Sequence, residues 1–268
     1  MMYYGLINSI SIPPSSYTAR TTAFATATGI TDVTILGALN TFDLGLISNS
    51  LDSKMKAVYP FVGTTSTTQK YNFMDSRDLD VAFRLQFNGG ITHSSNGILF
   101  GGINGYADTF CNVLGTKNNN HLSLYIRTNV DEVSADIGVT GSVGGFGYPH
   151  DIEPRISDTC YFTNFVGSGH LTFANSDSRG FYINTRLASV HKGYKNNTLI
   201  GTNTTPATDD YVGSISIGAR WNTNLSIPQF YSSKQFSFAS IGTGLSDTDA
   251  SALYTLVQNM QTTLSRQV

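Results

Sequence analysis

The sequence predicts a mainly β protein: an antiparallel β-sandwich or jelly roll, with a helical segment before it and one helix after it. Three observations carry this. From about residue 68 onward, apolar residues recur at a period of two in short runs. Glycine- and asparagine-rich stretches such as GGINGYADTF and GVTGSVGGFGYPHD separate those runs, with no helical pattern between them. Helical spacing is confined to residues 31–59 and 246–264. Composition agrees. Charged residues make up 13% of the 268-residue chain, about half the usual share. The 40% apolar content is too high for a disordered chain. Hydroxyls and amides therefore carry the outward positions.

Residues 1–20 contain Pro13-Pro14 and several serines, and read as an extended arm. Ile35, Leu39, Phe42 and Leu46 then fall on one helical stripe, with Thr31 as the expected N-cap. A second, shorter helix is expected to carry Leu51, Met55 and Val58, with Lys54 and Lys56 in its last turn and Pro60 ending it. Residues 1–66 thus form an N-terminal arm with a helical anchoring or oligomerisation segment, and residues 67–268 form the sandwich with its closing helix.

Strands are expected at 80–90, alternating Val81, Phe83, Leu85 and Phe87, and at 121–129, alternating Leu122, Leu124 and Ile126. RGFYINTRLASV and GSISIGAR behave likewise. Residues 191–205 read as a hairpin, because Asn196-Asn197 tolerates the positive φ that a tight turn demands. The last helix opens at Ser246, with Asp249 three residues on in a capping-box arrangement. It presents Ala250, Leu253, Tyr254, Val257, Met260 and Leu264 along one face.

Several function classes are excluded. The net charge is −2 and no run of Lys or Arg forms a phosphate-tracking stripe, so no nucleic-acid partner is expected. No window reaches the length of a membrane span, and the first residues lack the pattern of a secretion signal. Cys111 and Cys160 sit in no CxxC; one disulfide is open to them, and two buried free thiols are the simpler reading. His93, His121, His150, His170 and His191 never pair at metal-ligand spacing and read as isolated strand or surface residues. No metal or cofactor is expected. No G-x-S-x-G elbow or phosphate loop is present, and residues 104–109 and 205–211 read as ordinary Asx-rich turns, not calcium loops. Asp75, Asp78 and Asp80 read as a solvated strand start beside Arg77.

Three pieces in order carry a resemblance. Residues 193–200 (GYKNNTLI), 216–220 (SIGAR) and 245–254 (LSDTDASALY) resemble the laminin-G-like jelly roll of the concanavalin A-like lectin superfamily. The match covers residues 180–260; residues 70–180 match only as strand pattern. It departs at QFSFASIGTG, where the family's acidic stretch is missing. The N-terminal half, with MKAVYPFVG and the stretch from YNFMDSRD to ILFGG, is similar to bacteriophage virion proteins of tails and fibres.

These resemblances imply a virion component whose lectin-like domain serves assembly or contact with a host-surface glycan. Other virion proteins would be its partners, and a homo-oligomer, trimeric by analogy with fibres, its assembly. Glucanases on this fold carry E-x-D-x-x-E. Glu132 and Glu153 are the only glutamates and do not match it, so the expectation is a non-enzyme. A stand-alone carbohydrate-binding module and, behind it, a polysaccharide depolymerase are the alternatives. Sugar binding needs an aromatic platform with amides or acids beside it. The candidates are Trp221 with Asn222, and Tyr106 with Asp108. The sole Trp either offers that platform or fills the core or a subunit contact.

Overall fold

Alternation decides the architecture, because several strands carry apolar residues on both faces. The computed structural model describes residues 17–113, 115–142, 147–167, 169–208 and 211–268. Along the chain come α1 (Ala19–Thr28), α2 (Val33–Ser48), β1 (Met55–Tyr59) and the single turn α3 (Ser66–Gln69). Then come β2 (Gln86–Asn88), β3 (Ile91–Ser94), β4 (Gly97–Phe100), β5 (Tyr106–Asn112), β6 (Asn119–Ile126) and β7 (Ile137–Thr140). Next are β8 (His150–Ile156), β9 (Thr159–Asn164), β10 (Leu171–Ala174), β11 (Gly180–Leu187), β12 (Val190–Lys195) and β13 (Thr198–Asn203). The chain closes with β14 (Ser214–Ile217), β15 (Arg220–Asn222), β16 (Ile227–Gln229), β17 (Gln235–Gly242) and α4 (Asp247–Thr263).

Two mainly antiparallel sheets form the sandwich. Sheet A runs β13-β12-β11-β6-β17-β4-β3, with β1 also on β17. Sheet B runs β10-β9-β8-β7-β14-β5-β2, with β15 on β7 and β16 on β15. Between them lies the main core. β6 contributes Leu122, Leu124 and Ile126, and facing strands contribute Ile137, Val139, Ile152 and Ile217. The opposite face of sheet A turns Tyr125, Phe181, Ile183 and Phe238 outward into a second core, formed with α1, α2 and α4. Phe42 of α2 meets Phe238 edge-on at 5.7 Å, and Phe238 meets Phe181 at 6.0 Å. The molecule thus has three layers: helices, sheet A and sheet B.

The Asn196-Asn197 turn is as expected, with φ of 45° and 67°, the positive pair a primed hairpin requires. The α4 capping box also forms. Ser246 Oγ accepts from Asp249 N at 3.2 Å, and Ser246 N donates back to Asp249 Oδ2 at 2.8 Å. Leu39, Phe42 and Leu46 make the buried stripe of α2, with Ile35 half-buried. Cys111 and Cys160 are both free and buried.

Four expectations need correction. The expected helix at Leu51, Met55 and Val58 is a short 3-10 turn, Asp52–Lys54, followed by β1, which pairs with β17. Ala57 and Tyr59 face the inter-sheet core, while Met55 and Val58 face the helical core. With both faces buried, the apolar positions lose their two-residue alternation and fit a helical spacing as well. The expected strand at 80–90 shrinks to β2. Asp80–Ala82 is a 3-10 turn, Phe83 is left-handed, and Arg84 turns back to pair with Asp80 at 2.8 Å and Asp78 at 3.0 Å. Helix α1, in a stretch read partly as an extended arm, starts from Thr18, whose side chain accepts from Thr21 N; residues 1–16 lie outside the described residues. Asp32, not Thr31, caps α2 by accepting from Thr34 N and Ile35 N.

Candidate functional site

Among the described residues the three long helices pack on sheet A, whereas the sequence candidates Tyr106, Asp108, Trp221 and Asn222 all lie on strands of sheet B. Its central device is a reversal after β14. Gly218 has φ +83°, and a Cβ there would press into the Phe100 ring at 2.4 Å, so glycine is required. The chain turns back as β15, which runs parallel to β7 and forms a hairpin with β16. Trp221 therefore sits in a strand, opposite Pro228 and Val139.

That reversal brings Trp221 to Tyr106. Their ring centroids are 6.2 Å apart with 35° between planes. Both rings are half-buried, and Trp221 also packs partly against the inter-sheet core. Two separate sequence candidates thus form one aromatic unit. Asp108 lies two residues from Tyr106, on the same face of β5. Its Oδ1 accepts from Phe110 N at 2.8 Å. Burial pushes the Asp108 carboxyl above the usual carboxylate range. Burial and the nearby Asp108 also raise the Tyr106 hydroxyl. Asn222 spans the hairpin, donating from Nδ2 to Gln229 Oε1 at 2.9 Å and accepting from Asn224 N at 3.1 Å. Leu225, Ile227 and Phe230 are exposed around this hairpin.

An ion cluster beneath the hairpin was not legible in the sequence. Ile152 points into the core, so its neighbours Asp151 and Glu153 share the opposite face of β8. Arg220 Nη1 reaches Asp151 Oδ2 at 2.7 Å and Glu153 Oε1 at 3.2 Å. The Phe230 ring lies over the guanidinium at 4.5 Å. The Asp151 side chain is fully buried, and that burial raises its pKa while Arg220 opposes the rise. Burial, then the charge of Asp151, pushes Glu153 up to about 8. A second clamp lies nearby. Lys234 Nζ, wholly buried, donates to Glu132 Oε1 at 2.9 Å, Ser134 Oγ at 2.8 Å and Asp136 Oδ1 at 3.3 Å. The only hint was the spacing of two acids at i and i+2 in HDIE; their cation is 67 and 69 residues away.

Three histidines expected to be isolated converge in the interior. His121, His150 and His191 are buried beside a buried Arg186. His191 Nε2 bonds Asn184 Oδ1 at 2.9 Å, His121 Nδ1 bonds the Thr243 carbonyl at 2.6 Å, and His150 stacks on Phe165 at 5.0 Å. Burial lowers their pKa values, to about 4 for His121 and about 3 for His150 and His191. No group of His, Cys, Asp or Glu among the described residues is arranged to hold a metal ion. The 104–109 stretch runs into β5, and the 205–211 stretch includes residues outside the described ones. Asp75 pairs with Arg77, and Asp78 with Lys70 and Arg84.

The fold is shared with known structures. Domain 4 of AbnA, an extracellular arabinanase of Geobacillus stearothermophilus in complex with arabinotriose, is 14% identical and superposes with a TM-score of 0.50 over 75% of this chain and 98% of that one. A sialidase of Trypanosoma rangeli in complex with sialic acid is 8% identical, with a TM-score of 0.50 over 82% of this chain and 38% of that one. At these identities the likeness is one of fold. No family model and no curated sequence matches this chain.

Proposed function

We propose that this chain is a non-catalytic glycan-contact module of a bacteriophage particle, its sandwich holding a saccharide against the Tyr106–Trp221 pair. One observation carries the glycan reading: the two rings singled out separately as platforms meet at 6.2 Å, with the Asn222–Gln229 amides on the adjoining hairpin. Stacked sugar faces need such rings, and amides suit their hydroxyls. The arabinotriose complex of the similar arabinanase domain supports the reading. The non-catalytic part rests on the acids themselves. Asp151 with Glu153, and Glu132 with Asp136, are each held by a single cation, and Asp151 and Asp136 are sealed from solvent. The particle setting rests on the hydroxyl-rich, low-charge composition and on the resemblance of the N-terminal half.

A glycan array probed with the full chain tests the module. At least one saccharide should bind, with about a tenfold loss in Trp221→Ala and in Tyr106→Ser. Wild-type affinity in both variants, or silence across the array, defeats the glycan reading. Mass spectrometry of purified particles tests the setting; absence of the chain from them defeats it.

A further inference from the structure

The charge around the aromatic pair constrains what it takes. Asp108 shares a face of β5 with Tyr106, and its field reaches the Tyr106 hydroxyl. Asp80 adds to the negative potential at Asp108. Arg220, Arg84 and Lys234 are each paired with carboxylates. Arg220, next to Trp221 in the chain, spends Nη1 on Asp151 and Glu153. Arg84 is held by Asp78 and Asp80. Lys234 is wholly buried between Glu132 and Asp136. What the surroundings offer instead is uncharged: the Asn222–Gln229 amide pair, and Asn88 and Gln86 opposite Tyr106 and Asp108 in β2.

We infer that the Tyr106–Trp221 face takes neutral, hydroxyl-presenting saccharides and discriminates against acidic ones, such as sialosides and uronates. This rests on the glycan-contact reading above. Binding a sugar carboxylate in a partly desolvated site requires a cation or a cluster of donors to replace its water. Here drawing Arg220 toward such a ligand would weaken its pairing with Asp151 and Glu153 in a buried setting. Meanwhile Asp108 repels the incoming charge across the same face. The fold's likeness to a sialidase therefore does not extend to its ligand charge.

The protein supplies its own probe, because Trp221 is the only tryptophan in the chain. The full chain is titrated by intrinsic fluorescence with matched saccharides: lactose against 3′-sialyllactose, and galactotriose against trigalacturonate. A glycan-array hit is added with its uronate counterpart. Neutral members should bind about tenfold or more tightly than their acidic partners. The gap should narrow in Asp108→Asn, and it should narrow for wild type as salt rises from about 20 mM to about 500 mM, since screening weakens repulsion. The salt series keeps the test valid should Asp108→Asn fold poorly. An acidic member that binds as well as its neutral partner with a Trp221 response overturns the charge selectivity and leaves glycan contact standing. A gap indifferent to both salt and Asp108→Asn overturns its electrostatic cause. Silence from every saccharide removes the glycan reading, and this inference with it.

Discussion

Sheet A and sheet B are built from similar strands but clad differently. Sheet A is apolar on both faces, one against sheet B and the other under α1, α2 and α4. Sheet B is less apolar outward, where it carries Asp108, Glu153 and Arg220, with the half-buried Tyr106–Trp221 pair beside the β15–β16 hairpin. Packing energy is concentrated where no ligand reaches. Charge and the paired aromatic rings are concentrated on the side proposed to meet one. The comparison teaches that the helical layer finishes a core that the two sheets alone leave open on one side. The outer side of sheet B is free to vary its chemistry because little of the stability depends on its apolar content.

Substitutions can break that division or sharpen it. The largest effect is expected on the helix-clad side. Phe238→Ala removes the ring on which Phe42 and Phe181 converge, and should cost about 3–5 kcal/mol in urea denaturation. A cost under about 1 kcal/mol would mean the helices contribute little to the fold.

Arg220→Ala on the other side should cost about 3 kcal/mol, because it leaves Asp151 and Glu153 buried without a cation. That cost should depend on pH. Glu153 titrates near 8 in the fold and near the ordinary carboxylate value when unfolded. The fold therefore holds its proton more tightly, and the group destabilises progressively as pH rises from about 4.5 to about 8. The Arg220→Ala defect should be smaller at about pH 5.5 than at about pH 8.5; equal defects would show that Glu153 does not carry it.

The buried imidazoles act in the opposite direction. Their folded pKa values of about 4, about 3 and about 3 lie below the unfolded value. Their stability is fully present above about pH 6.5 and is lost as pH falls toward those values, by about 1 kcal/mol per pH unit for each histidine. Glu153 partly offsets this, since its penalty is relieved over part of the same range. Glu153→Gln should therefore show a steeper acid limb than wild type in denaturation at about pH 7, 6 and 5; a shallower limb would reverse the assignment.

The smallest effect is expected at the helix cap. Ser246→Ala should cost about 1 kcal/mol in thermal unfolding, through the lost bond to Asp249 N.

What the sequence revealed follows from where information about each element resides. The Asn196-Asn197 turn and the Ser246 cap are local chemistry, so a few residues specify them. β6 showed its core-facing leucines because polar His121 and Ser123 interrupt them. β1 was hidden because its two faces bury into different cores. Tyr106 and Trp221 were legible singly, as aromatics among polar neighbours. Their meeting was not, since β14 lies between β5 and β7, the strand on which β15 pairs. The Arg220 clamp was invisible for the same reason: only the completed sheet brings its ends together.

The pairing of β1 with β17 also bears on where this chain can be cut. Met55–Tyr59 satisfies a row of backbone groups on β17, from Ala239 to Gly242. A shortened chain starting at residue 67 would lose that strand together with the helical cover. It would bare peptide N–H and C=O groups beside Phe238, Phe181 and Tyr125, a surface suited to stacking against its own kind. A soluble fragment for ligand work must therefore begin ahead of α1.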